Sequence, residues 1–168
     1  SSSAASDVYK RQIQTLSKSS AKFSIDSLRN LNENTIKLFN YDDINHKLKN
    51  INTDFQKESF WRFIKNNISF VKEAKEWEKI ITKINNARDL NIDENFITTA
   101  VDELPEDPFD ENTWDNWTSK IKSKTGLKGK DLFMPLRLIL TGKSHGPELK
   151  YLLPLFNRNG ILQKLGKI

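Results

Sequence analysis

ISFVKEAKEWEKIITKIN, residues 68–85, is the longest stretch of the chain that reads as one element. Phe70 or Val71, Ala74, Trp77, Ile80, Ile81 and Ile84 fall on one side of a 3.6-residue wheel, with charges on the other. That spacing predicts an amphipathic helix from Ile68 to about Asn85. It contains no glycine or proline, and all six glycines of the 168 residues lie at or beyond Gly126.

Working outward, the same period recurs. Upstream, Phe23, Leu28, Leu31, Ile36 and Leu38 to Phe39 mark a helix that Ser24 or Asp26 can cap. Tyr41 to Ile51 carries Ile44 and Leu48 on one face, and Thr53 is a candidate cap for a segment with Phe55, Phe60, Trp61 and Ile64. Downstream, Asp93 precedes a helix with Phe96, Ile97 and Val101, which must stop before Pro105. Asp110 precedes a helix with Trp114, Trp117 and Ile121 that Gly126 closes. Asp131 to Thr141 is apolar and ends at Gly142; Pro135 sits in its first turn or kinks it. Gly146-Pro147 opens a further helix from Leu149 to Phe156, made irregular by Pro154, and Ile161 to Leu165 closes the chain. No alternating strand pattern and no repeat is visible. The expectation is an all-α fold of short helices in two packed clusters. The turn-rich run from Leu104 to Asp110 divides residues 14–104 from a basic part, 105–168. Residues 1–13, opening Ser-Ser-Ser-Ala-Ala-Ser, read as a disordered or non-native leader.

Composition narrows the chemistry. The absence of cysteine excludes disulfides, thiolate catalysis and Cys-based zinc sites. His46 and His145 have no second ligand at helical spacing, so no metal site is expected. No apolar run is long enough to span a bilayer, and a cytoplasmic location is expected. Seven acids between Asp102 and Asp115 read as a solvated face at a helix start, not as a catalytic pair. Trp61, Trp77, Trp114 and Trp117 read as core.

Charge is divided along the chain. From Lys120 to Ile168 there are eleven Lys or Arg against two acids, while the first 119 residues are net acidic. Lys128, Lys130, Arg137, Lys143 and Lys150 surround glycines and the Gly146-Pro147 helix start. Lysine and arginine neutralise phosphates, arginine pairs bidentately with a base edge, and glycine lets a base approach the backbone. Unpaired RNA bases are read by such parts. A basic helical hairpin with ordinary glycine caps is the plainer alternative.

The run from Thr125 to Leu155, TGLKGKDLFMPLRLILTGKSHGPELKYLLPL, weighs against that alternative. It resembles the C-terminal anticodon-binding region of bacterial glutamyl-tRNA synthetases, which carry Lys-Gly-Lys, Leu-Phe-x-Pro-Leu-Arg, Leu-Thr-Gly and His-Gly-Pro-x-Leu in this order and spacing. Ser19 to Asn32 is similar to the segment after that family's Lys-Met-Ser-Lys-Ser-type loop. Leu16-Ser-Lys-Ser19 echoes the end of this signature, but lies downstream of its place and has no catalytic role here.

The resemblance implies a parent enzyme that activates glutamate with ATP and Mg²⁺ and charges its tRNA. The Rossmann domain that does this is missing from this stretch. No ligase activity and no cofactor are expected of it alone, and a monomer that joins its catalytic domain in cis is. By the resemblance, Arg137 occupies a base-contacting position. Gly146, Pro147 and Leu149 shape a base pocket, and a further contact falls near Asn67. Lys128, Lys130, Lys143 and His145 complete the expected tRNA-binding set. Gly146 stands where some members carry a larger residue, and the arginine common near Asn67 is absent. Specificity for tRNA of glutamate alone, or also of glutamine, is thereby left open. A non-specific helical RNA binder, or a protein-interaction module using the acidic stretch, are the competing readings.

Overall fold

The computed structural model describes residues 24–50, 55, 57–85, 87 and 89–167. The leader, Leu16 to Ser19, Phe23 and Thr53 lie outside the described residues. Among those described, helices form the architecture and no strand occurs. The helices are α1 (Ile25–Leu38), α2 (Tyr41–Asn50), α3 (Glu58–Ile64), α4 (Ala74–Thr82), α5 (Glu94–Asp102), α6 (Thr113–Thr125), α7 (Lys130–Thr141) and α8 (Arg158–Lys164). Short 3₁₀ turns at Lys65–Asn67, Val71–Glu73, Leu149–Tyr151 and Leu153–Leu155 fill the joints.

Several helix starts are set by the expected side chains. Ser24 Oγ accepts from the Ser27 amide at 3.0 Å, and Asp93 Oδ1 from the Phe96 amide at 2.9 Å. Asp110 Oδ1 accepts from the amides of Asn112 and Thr113, both at 2.9 Å, while Thr113 Oγ1 accepts from the Asp110 amide at 2.8 Å. This reciprocal pair satisfies the first free N–H of α6, that of Thr113, and fixes the turn leading into it. The Thr113 hydrogen bond, more than any other contact, holds the Asp110 carboxyl below its usual pKa.

The predicted long helix at 68–85 is instead a short one. Ile68 and Phe70 are extended, a 3₁₀ turn follows, and α4 begins only at Ala74 and ends at Thr82. Two long-range contacts and one local one account for the break. Asn32 Nδ2 donates to the Ser69 carbonyl, Ser69 Oγ donates to Glu33 Oε1, and the Ser69 amide donates to Glu73 Oε2 at 3.2 Å. These bonds give the backbone other partners than an i→i−4 ladder.

A second difference follows Gly146. The expected helix from Leu149 to Phe156 is two 3₁₀ turns around Leu152. Pro154 has no N–H to give the Lys150 carbonyl, so the chain closes i→i−3 bonds: Leu152 to Leu149 at 3.0 Å and Phe156 to Leu153 at 3.0 Å. Pro135, by contrast, lies past the first turn of α7, and the helix continues through it.

The buried side chains form one cluster across the Leu104–Asp110 connection. It includes Phe60, Trp61, Phe63 and Ile81 from the earlier part with Trp117, Leu136, Ile139 and Leu153 from the later one. α5 packs on α6, α6 on α7, and α4 on α7, while α3 packs on both late 3₁₀ turns. Lys164 is the notable buried cation at 2% exposure, with Nζ donating to the Lys83 carbonyl at 2.6 Å. That carbonyl lies just past the C-terminal end of α4, where a positive charge meets the negative end of the helix dipole. The apolar period of the first helix is mostly not covered. Of its apolar residues only Ile36 is buried, while Ile25, Leu28, Leu31 and Leu38 are exposed.

A cleft between α6 and α7 as the candidate nucleic-acid interface

Residues of α6, of α7 and of the segment after Pro147 line a cleft of about 420 Å³. Trp114 and Asp115 of α6, Phe133 and Arg137 of α7, and Glu148 to Lys150 line it. This volume is within the range of small-ligand sites.

Phe133 and Arg137 share the cleft because they are one helical turn apart on α7. Phe133 is 42% exposed and lies 6.1 Å from the Trp114 ring at an interplanar angle of 30°. Trp114 in turn meets Trp117 edge-on at 6.1 Å. Trp117 is fully buried, so the core supports an aromatic floor whose outermost ring, Phe133, is open.

Arg137 is half-buried. Its Nη2 donates to the Pro147 carbonyl at 3.0 Å, while Nη1 is buried without a partner among the described residues. Desolvation lowers its pKa from the ordinary guanidinium value. One nitrogen of the fork is therefore anchored and the group is partly stripped of water, which strengthens any bond it makes to a ligand. Beside it, Lys150 Nζ pairs with Glu148 Oε2 at 3.1 Å and lies 4.8 Å above the Tyr151 ring. The Glu148 carboxylate raises the Lys150 pKa, with Tyr151 adding to it.

The expected site residues fall into three groups, with Asn67 apart from them. Arg137 and the buried Leu149 line the cleft, the buried Pro147 joins them through the carbonyl that holds Arg137, and Gly146 is half-buried next to it. Lys143 and His145 stand exposed on the loop between α7 and Pro147, where His145 Nδ1 is 3.2 Å from Ser144 Oγ. Lys128 and Lys130 are exposed at the start of α7. Lys130 borders a separate apolar groove of about 390 Å³ floored by Phe96, Met134 and Leu138. Asn67, exposed at the end of the 3₁₀ turn after α3, does not line the cleft. No helix N-terminus supplies donors at Pro147, since that segment is 3₁₀.

Sequence reasoning missed Phe133, Asp115 and Glu148. Phe133 was legible: it precedes Arg137 by four residues on the same predicted helix. The two carboxylates were not, because Asp115 belonged to an acidic run that reads as solvated surface. Among the described residues no group of three metal-ligating side chains gathers, and no helix is long and apolar enough to cross a membrane.

Residues 5–168 match the family model described as an anticodon binding domain. The chain belongs to the anticodon-binding domain family. It is 36% identical over 154 residues to glutamate–tRNA ligase 1 of Rickettsia bellii (strain OSU 85-389), covering 92% of this chain and 35% of that protein. It is 41% identical over 157 residues to glutamate–tRNA ligase 2 of Bartonella tribocorum, covering 92% of this chain and 34% of that protein. Glutamate–tRNA ligase 1 of Rickettsia felis is 34% identical over 154 residues. The chain spans about a third of the length of the curated relatives it matches. The anticodon-binding family agrees with what the run from Thr125 to Leu155 implied, and the helical fold with the apolar period along the chain.

Proposed function

We propose that this anticodon-binding domain reads the anticodon of tRNA for glutamate in the cleft between α6 and α7, as part of a glutamate–tRNA ligase. The observation that carries this reading is the pairing of an open aromatic ring with an anchored guanidinium. An unstacked base can lie on Phe133 while its polar edge meets Arg137. Arginine matches two acceptors on a guanine edge, and it also donates to the carbonyl oxygens of pyrimidines. The Asp115 and Glu148 carboxylates are acceptors suited to exocyclic amino groups such as cytosine N4. Exposed Lys128, Lys130 and Lys143 lie outside the pocket wall and suit phosphate contact, which adds affinity without sequence information.

The parent's chemistry follows as part of the same proposal: glutamate activation with ATP and Mg²⁺ by a catalytic domain in cis, in the cytoplasm. The connection at 104–110 is the proposed boundary between a first subdomain and the basic one that holds the cleft. Asn67 and His145 are proposed as contacts to RNA outside the cleft.

The test is a titration with two RNA hairpins, one carrying the anticodon stem and loop of tRNA for glutamate and one with the three anticodon bases replaced. A clear preference for the native loop is expected. Equal affinity for both would leave only backbone binding and would refute base reading by this chain.

A further inference from the structure

The loop that follows α7 rests on residues from the α4 region. A Cβ on Gly146 would lie 2.7 Å from Trp77 Cη2, and one on Gly142 would lie 2.9 Å from Asn85 Oδ1. Both separations are shorter than non-bonded carbon tolerates, so at these two points the backbone itself is packed against the α4 side. Gly146 has φ of 137°, which side-chain-bearing residues rarely adopt. Asn85 adds a directed bond, its Nδ2 donating at 3.2 Å to the Ile139 carbonyl, one of those left open near the C-terminal end of α7. Trp77 is itself held by Phe63 of α3, whose ring meets it edge-on at 5.8 Å. The loop ends in Pro147, whose carbonyl anchors Arg137.

We propose that Trp77 and Asn85, neither of which lines the cleft, are positioning residues for base recognition: they seat the loop from Gly142 to Pro147 and thereby aim the Arg137 guanidinium. This rests on the cleft being the anticodon site. Arginine discriminates by geometry, because its two-point match fails when the fork is rotated or displaced. A flexible side chain acquires that geometry only if something fixed holds it. Here the fixed element is a backbone carbonyl, and the carbonyl is placed by the wall beneath its loop. Loosening the wall removes discrimination between bases while leaving charge, and therefore general RNA affinity, in place.

The experiment compares the whole chain with its Trp77→Leu and Asn85→Ala variants. The two hairpins are titrated against each, thermal unfolding is recorded, and the Arg137 Nε–H resonance is followed by NMR, assigned through its loss in Arg137→Lys. Each variant is expected to unfold cooperatively, to bind the anticodon-replaced hairpin as before, and to lose about tenfold in preference for the native loop. The Arg137 resonance should shift in the free protein. A folded variant with unchanged preference and an unshifted resonance overturns the seat. If Trp77→Leu does not fold, Asn85→Ala carries the comparison. If the unmodified chain shows no preference, the anticodon reading falls, and the resonance alone judges the seat: shifted in the variants it stands, unshifted it is overturned.

Discussion

The indole Nε1 of Trp117 donates to the carbonyl oxygen of Ala100 at 2.8 Å, joining α6 to the last turn of α5 across the 104–110 connection. The carbonyls at the end of a helix have no intrahelical partner, and Thr99 and Val101 find theirs in the Glu103 and Leu104 amides. Ala100 is completed by a ring in the core. Trp117→Phe keeps most of the apolar surface but strands that buried carbonyl, so a loss of about 1–3 kcal/mol of stability is expected from the unmet acceptor. Urea unfolding of the two chains measures it.

Arg137→Lys keeps the positive charge and removes the planar fork. The dependence of hairpin affinity on salt should stay nearly constant, while preference for the native anticodon falls by about tenfold or more. Titrations at two salt concentrations separate the two effects. A Lys variant that still discriminates would place base reading elsewhere.

Phe133→Ala removes a ring that is 42% exposed and rests on Trp114, so stability should fall modestly, by about 1 kcal/mol. Affinity for the native hairpin should fall by about 1–3 kcal/mol, the usual worth of one base stacked on an aromatic side chain. Fluorescence titration alongside a melting curve makes the comparison.

Burial lowers the pKa of Lys164 from 10.5 to about 8. A lysine with a depressed folded value binds fewer protons folded than unfolded between those two values. Its burial therefore costs stability fully below about pH 8, and the cost is relieved as pH rises toward the unfolded value. Lys164→Met should abolish this rise. Urea midpoints taken from about pH 7 to about pH 10 should climb less in the variant than in the unmodified chain.

Helix positions were legible wherever local chemistry sets them. Asp93, Asp110, Gly126 and Gly142 mark their boundaries through side-chain caps and turns that depend on a few neighbouring residues. Where distant residues intervene, the period misled. Ile68 to Phe70 carries a helical apolar pattern yet is extended, because Asn32 and Glu33 bond to Ser69 from α1. Exposure of Leu28 and Leu31 was equally hidden, since periodicity reports a face and not what covers it. In the cleft, Arg137 was legible by motif and Phe133 by spacing. The contact of Trp77 with Gly146 joins residues 69 positions apart, and nothing local signals it.

Gly142 is exposed and Gly146 half-buried, in the kind of loop where substitutions usually accumulate. Their packing reverses that expectation. At Gly146 even a methyl group meets the Trp77 ring, while at Gly142 the first obstacle is the side-chain amide of Asn85. A larger residue at 146 therefore calls for an adjustment at residue 77, 69 positions away in the chain. An exposed loop thus carries the constraints of the half-buried residues beneath it.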